Sequence, residues 1–227
     1  MRIIVLYEDD SLLAIDKPAG VVVHPTYKNV SGTVLDELQW RSRDWPDGAR
    51  PSLVGRLDKM TSGVLIAAKD AAVHAALQRS WPEAEKDYVA VVHGLVAEPD
   101  GEIDLPIGLD PADRRRRTVT PGGARCVTRF ERLGSSAESG LSLLRCRLVT
   151  GRTHQIRVHL SARGWPIVGD TAYGDPLVPP VFPRQALHAW RVAVTHPTSG
   201  ERLMIEAPVP PDLQDLLHFS KLDGRMA

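Results

Sequence analysis

Arg56 and Asp58, in Gly55-Arg56-Leu57-Asp58, stand just before Thr61-Ser62-Gly63 and the apolar run Val64-Leu65-Ile66-Ala67-Ala68. Such a run with a glycine at its mouth predicts a buried strand, which puts Asp58 in a tight loop at the start of a core element. A carboxylate held there can act as a nucleophile or as a base. Loops on a rigid scaffold are also where reactive side chains are commonly carried. The same residues equally suit an ordinary turn in which Asp58 accepts backbone N–H groups. Taken alone, the stretch leaves both readings open.

A second group of reactive side chains lies in Gly151-Arg152-Thr153-His154-Gln155-Ile156-Arg157-Val158-His159-Leu160. The spacing predicts a short helix from Thr153, closed by Gly164 and Pro166. It would carry His154 and Arg157 on one face and Ile156 and Leu160 on another, so Arg157 could be a surface residue or a site cation. His154 and His159 are separated by roughly 140° around such a helix and cannot chelate one metal together. A third candidate is Tyr88, in the predicted strand Lys86 to Gly94, where Tyr88, Ala90 and Val92 share one side. A tyrosine so placed is either a core aromatic with a polar tip or a site residue.

Composition narrows the function classes. Hydrophobic content of 43% and charged content of 25% are ordinary for a soluble globular chain of 227 residues. No stretch approaches the length of a membrane span, and the N-terminus meets acid at Glu8, too early for a secretory segment. Cys126 and Cys146 form neither a disulfide framework nor a metal-ligand spacing. A cytoplasmic protein without membrane attachment is expected. The net charge is zero, yet from Arg114 to Arg163 the chain carries 12 arginines, no lysine, and only Glu131 and Glu138 as acids. Asymmetry of this kind predicts one basic face, with Arg114, Arg115, Arg116 and Arg117 in an exposed hairpin or loop. Arginine suits bidentate phosphate contacts and stacking on bases, although a merely solvated surface accounts for the run as well.

The elements that must position these groups can be read in order. Ile3 to Tyr7 and Leu12 to Ile15 predict short strands, Lys17-Pro18-Ala19-Gly20 a loop, and Val21-Val22-Val23 a resumed strand. Thr33 with Asp36 forms a capping pattern for a helix bearing Val34, Leu35 and Leu38. Arg41 to Pro51, with Pro46-Asp47-Gly48, reads as a loop, and Asp70 as the cap of a helix reaching Trp81. Gly134 to Gly140 reads as a turn, Leu141 to Thr150 as a strand, and Gly164 to Gly174 as a glycine-punctuated loop without the context of a nucleotide fingerprint. Strands at Leu187 to His196 and Arg202 to Ala207 and a helix at Asp212 to Phe219 complete the chain, with no linker to divide it, so residues 1–227 are expected to be one domain.

With these stretches in place, the sequence resembles the RluA family of pseudouridine synthases. The residues that carry the resemblance are Lys17-Pro18-Ala19-Gly20 with His24-Pro25, Arg56-Leu57-Asp58 with Thr61-Ser62-Gly63, and Lys86 to Gly94 around Tyr88. Gly151 to Leu160, Gly164 to Gly174 and Leu187-His188-Ala189 follow in the family's order. The family usually has histidine where this chain has Gly55, a spelling closer to the related RsuA family, and often has an acid where this chain has Met60. His24-Pro25 and the intact Arg152 to Leu160 stretch speak for RluA. The small N-terminal RNA-binding domain of many relatives is not expected.

The resemblance implies an α+β fold, a mixed and largely antiparallel sheet with flanking helices and a central active-site cleft. It implies isomerisation of uridine to pseudouridine in structured rRNA or tRNA, with no metal or cofactor, by a monomer. Asp58 looks like the family's essential aspartate, Tyr88 like its active-site tyrosine, and Arg157 like the arginine that keeps the carboxylate ionised. Arg56 resembles the arginine that fills the space of the flipped-out base. Arg152, His154, Thr61 and Arg114 to Arg117 are expected to contact substrate. Two other classes compete. A non-catalytic RNA-binding module would keep the arginines but could dispense with Asp58 or Tyr88. A hydrolase with an aspartate nucleophile needs a second carboxylate or a metal, and no motif supplies one.

Overall fold

The structure, a computed structural model, describes residues 3–46, 49–174 and 182–222. Asp47 and Gly48 of the predicted loop lie outside the described residues. In chain order the first elements are β1 (Ile4–Glu8), β2 (Leu12–Lys17), α1 (Val34–Arg41), β3 (Ser52–Val54), β4 (Ser62–Ala68), α2 (Ala71–Ser80) and β5 (Glu85–His93). Then come β6 (Asp100–Asp104), β7 (Ile107–Leu109), β8 (Arg117–Val119), β9 (Val127–Ser136), β10 (Leu141–Leu148) and α3 (Gln155–Ala162). The last are β11 (Leu187–Thr195), β12 (Arg202–Glu206) and α4 (Pro211–Phe219). None of the described helices is long and apolar enough to cross a membrane. Contacts divide the chain into two compact units, Met1–Lys86 with Ala189–Pro208, and Asp87–His188 with Val209–Ala227.

In the first unit the strands run in the order β1-β2-β4-β11, with β3 also paired to β4 and β12 to β11. The pairings β1–β2, β2–β4, β3–β4 and β11–β12 are antiparallel. Every residue of β4 is buried, as its unbroken apolar run predicts. Its side chains join Leu12, Ala14, Val54, Leu77, Val192, Val194 and Ile205 in one core. Gly63, the second residue of β4, has φ +115°, and a Cβ there would lie 2.1 Å from the backbone oxygen of Ala189. Only glycine allows this approach.

The caps are as the sequence predicts. Thr33 and Asp36 form a reciprocal capping box, and Asp70 accepts from the N–H of Val73. Val21-Val22-Val23, however, is no strand. The carbonyls of Val22 and Val23 accept from the free N–H groups of Val34 and Leu35 at the start of α1, so this segment satisfies a helix end rather than a sheet edge.

The second unit holds an antiparallel sheet in the order β5-β10-β9-β6, with β7 and β8 forming a separate hairpin. Gly134 to Ser136, expected in a turn, extend β9, with a register shift opposite Leu143/Leu144. Helix α3 also departs from expectation. His154 precedes it in a left-handed conformation, φ 60°, and all residues from Gln155 to Leu160 are buried. Rather than an amphipathic surface helix, it is a core helix whose polar groups have partners: His159 bonds Thr128 Oγ1 and the carbonyl of Leu105. Cys126 and Cys146 are both buried, and burial pushes the Cys146 thiol up to about 12.

The Gly63 contact yields a direct test. Gly63→Ala is expected to destabilise the protein by at least about 3 kcal/mol, because both atoms in the clash are backbone or Cβ and cannot rotate away. Chemical denaturation of the two proteins checks this, and a change below about 1 kcal/mol would refute the close approach.

Candidate active site

Asp58 sits in the turn between β3 and β4, half-buried, with Arg56 exposed before it and Leu57 buried between them. The alternation anchors the loop through Leu57 while leaving both charged side chains at the surface of the first unit. Three interactions shape the turn. The N–H of Thr61 closes it on the carbonyl of Asp58 at 3.1 Å, and the N–H of Gly20 donates to the carbonyl of Lys59 at 2.9 Å. Lys17, which is fully buried, donates its Nζ to the carbonyls of Pro18, Val21 and Lys59 at 2.7, 2.9 and 3.2 Å. The Lys17 to Gly20 stretch therefore works as the mould of the Asp58 turn. Thr61 is itself buried, with its backbone as the turn's closing donor.

The Gly55 departure has a physical partner. Gly55 has φ +78°, and a Cβ there would meet the Trp81 ring at 3.0 Å. Trp81 is held by buried Lys86, whose Nζ donates to the Trp81 carbonyl at 3.0 Å and lies 5.5 Å from the ring centre. The indole thus occupies the place a histidine side chain would need. Position 55 was visible in the sequence as unusual, but nothing there named Trp81 as its counterpart.

The other candidates belong to the second unit. Tyr88 is half-buried on β5, opposite Cys146 of β10. Arg157 is buried and makes a two-pronged contact with Asp170, Nε to Oδ2 at 2.7 Å and Nη2 to Oδ1 at 2.9 Å. Burial alone would raise the Asp170 pKa, but the Arg157 hydrogen bonds and charge, with the N–H groups of Ala172 and Tyr173, hold it below the usual carboxylate value. The planar fork of Arg157 thus meets a carboxylate in the Gly164 to Gly174 loop. That loop's glycines marked it as a turn, and Asp170 went unnoticed within it. His154, at the start of α3, bonds the Tyr173 hydroxyl through Nδ1 at 2.6 Å. Arg152 is exposed, and its N–H donates to Gln155 Oε1.

Arg114 to Arg117 lie at the tip of the β7–β8 hairpin, as expected. The broad basic face does not follow. Of the twelve arginines between 114 and 163, eight pair with carboxylates: Arg115, Arg116, Arg125, Arg129, Arg145, Arg147, Arg157 and Arg163. All these acids but Glu131 come from outside the segment, so a charge imbalance along the chain is largely cancelled in space. Among the described residues, the other four, Arg114, Arg117, Arg132 and Arg152, have no carboxylate within ion-pair distance; Arg132 donates to the carbonyls of Val96 and Ala97, which leaves the hairpin tip and the start of α3 as the part of this segment with arginine charge to offer.

Comparison with known proteins agrees with this reading. A family model described as RNA pseudouridylate synthase matches residues 11–162. The chain is 41% identical over 229 residues to a Bacillus subtilis protein named uncharacterized RNA pseudouridine synthase YlyB, covering 99% of this chain and 75% of that one. It is 43% identical over 222 residues to the ribosomal large subunit pseudouridine synthase D of Nitrosomonas europaea, covering 94% of this chain and 64% of that one. Among solved structures, human RNA pseudouridylate synthase domain containing 4 superposes with a TM-score of 0.78 at 23% identity, over 97% of this chain and 94% of that one. At that identity the structural likeness bears on the fold, which is α+β.

The Arg157–Asp170 pair sets an expectation for acid stability. Breaking a buried pair leaves the other charge uncompensated, so Asp170→Asn should cost about 3–5 kcal/mol near neutral pH. Because the folded carboxyl titrates below its unfolded value of about 3.9, its contribution is fully present above that pH and is lost as pH falls through the folded value. The difference between the denaturation midpoints of parent and variant, measured from pH 7 to pH 2, should therefore hold steady down to about pH 4 and shrink below it. A constant difference across that range would contradict the pairing.

Proposed function

The chain belongs to the RNA pseudouridylate synthase family, and we propose that it isomerises uridine within large-subunit ribosomal RNA, with Asp58 as the catalytic carboxylate. The observation that carries this is the family match across residues 11–162, which spans the Arg56-Leu57-Asp58 turn, Tyr88 and Arg157. The relatives named for the ribosomal large subunit favour rRNA over tRNA as the substrate.

The reaction breaks the bond between C1′ and N1, turns the uracil and joins C5 to C1′; C5 loses a proton and N1 gains one. It is redox-neutral and needs no co-reactant. The Asp58 carboxylate serves as the nucleophile at C1′ or as a base at the sugar. Neither atom is reachable inside a stacked helix, so the nucleotide must be flipped out. Arg56, exposed beside Asp58, is suited to fill the vacated stack. Tyr88 supplies a ring for the uracil and a hydroxyl for proton transfer. Arg157 contributes positive charge, with Asp170 holding its Nε–Nη2 edge. Arg114 and Arg117 grip phosphates, with Arg152 and His154 extending the contact along the RNA. On this reading one catalytic domain acts in the cytoplasm as a monomer, without metal or cofactor.

Asp58→Asn should lower tritium release from C5-labelled uridine in rRNA by at least about a thousandfold while RNA affinity stays near the parent's. Activity within about tenfold of the parent would remove Asp58 from the chemistry. For the hairpin, Arg114→Gln with Arg117→Gln should flatten the plot of log K against log salt by roughly 0.7 to 0.9 per lost phosphate contact. Arg115→Gln should change it less, because Asp113 already holds that guanidinium. An unchanged slope in the double variant would make the tip a solvated surface.

A further inference from the structure

Tyr173 is buried, distant in sequence from the β7–β8 hairpin, and bound to it. Its hydroxyl accepts the backbone N–H of Arg117 at 2.9 Å and bonds Nδ1 of His154 at 2.6 Å. Its ring lies 5.3 Å from the Arg116 guanidinium and 4.9 Å from that of Arg157. Ile107, at the start of the hairpin, and Val158 of α3 pack with it in one small core, with Val119 against them. Its own backbone is tied at both ends: its N–H donates to Asp170 Oδ1 and its carbonyl accepts from Ser161 Oγ. One side chain thus joins the arginine-bearing tip, the left-handed residue that starts α3, and the Arg157–Asp170 pair. A two-stranded hairpin with three residues in each strand is not stable by itself and takes its position from what it packs against.

We propose that Tyr173 is a positioning residue for RNA binding: its hydroxyl fixes the Arg114–Arg117 tip to the start of α3, so that the phosphate contacts of both are made together. The inference rests on the reading of the hairpin as an RNA-binding element. Tyr173 need not touch the RNA. Its role is to set the spacing between two groups of cations whose ligand, a polyanionic backbone, has spacing of its own.

The test is a double-mutant cycle on binding of a large-subunit rRNA transcript, with single-turnover rates alongside. Tyr173→Phe keeps the ring and removes both hydroxyl bonds. It should raise the dissociation constant about fivefold or more, with the rate at saturating RNA within about twofold of the parent. Combined with Arg114→Gln and Arg117→Gln, it should add little further loss, because the contacts it positions are already gone. A merely structural role would lower the melting temperature and give additive losses. Full additivity, unchanged affinity, or a slowed maximal rate with parental affinity would each overturn the proposal. If the arginine double variant itself binds as the parent does, the RNA reading of the hairpin fails first, and this inference with it; if that variant binds weakly and Tyr173→Phe does not, only this inference fails. Should Tyr173→Phe unfold too readily to assay, amide exchange in the parent replaces it: an Arg117 N–H held by the Tyr173 hydroxyl should be protected and become more so on RNA binding, and exchange at the rate of a free peptide would overturn the proposal.

Discussion

The ammonium of Lys17 has no access to water, and a charge in that position must be solvated by the protein or neutralised. Withdrawing it costs several kcal/mol even after relaxation. The carbonyls of Pro18, Val21 and Lys59 take over water's role, and by turning toward one point they oblige two separate loops to curve around it. One loop leads to the start of α1, the other bears Asp58. The requirement to solvate one charge thus becomes a constraint on where a carboxylate stands. A hydrophobic residue in place of Lys17 would remove the cost and, with it, the reason for either loop to keep its shape.

The second unit manages charge differently. Its exposed arginine–carboxylate pairs are individually worth about 0–1 kcal/mol, too little to hold a fold together. Their effect is to spend positive charge locally, so that only a few guanidinium groups face outward unneutralised. The buried Arg157–Asp170 pair is of another kind. Two backbone N–H groups and two guanidinium donors meet one carboxylate there. Its energetic return against an apolar pair is modest at best, but its geometry is specific to a few tenths of an ångström.

Much of this could be read from residue order because the determinants were local. The unbroken run of β4, the capping box at Thr33 and the cap at Asp70 each involve residues within a few positions of one another. The hairpin tip followed from prolines and glycines. What escaped is long-range. Val21 to Val23 look like a strand because β-branched residues favour strands, yet α1 needed acceptors for its N-terminal N–H groups and these carbonyls supplied them. The apolar stripe of α3 was visible, but not that its polar side would also be buried, since that depends on Thr128, Leu105 and Asp170 arriving from elsewhere. The charge of the arginine-rich segment could be counted but its neutralisation could not, because the acids lie in other parts of the chain. At the candidate site, Asp58, Arg56 and Arg157 were legible through their motifs; Asp170, Tyr173 and Trp81 were not, for their importance lies in what they touch.

The first unit is assembled from two stretches far apart in the chain, residues up to 86 and residues 189–208. Val192, Val194 and Ile205 complete the core around β4, and Ala189 is the backbone against which Gly63 closes. On the ribosome these partners emerge after the whole of residues 87–188, a delay of roughly 5–20 s at ordinary rates of synthesis. During that interval β4 has its hydrogen-bonded neighbours from the N-terminal side but no β11, and an apolar strand edge stands open. The Asp58 turn, translated well before its Ala189 neighbour, therefore reaches its final form among the last. Nascent chains stalled before residue 189 would hold a finished sequence motif without its finished geometry, and would be the species most in need of a chaperone.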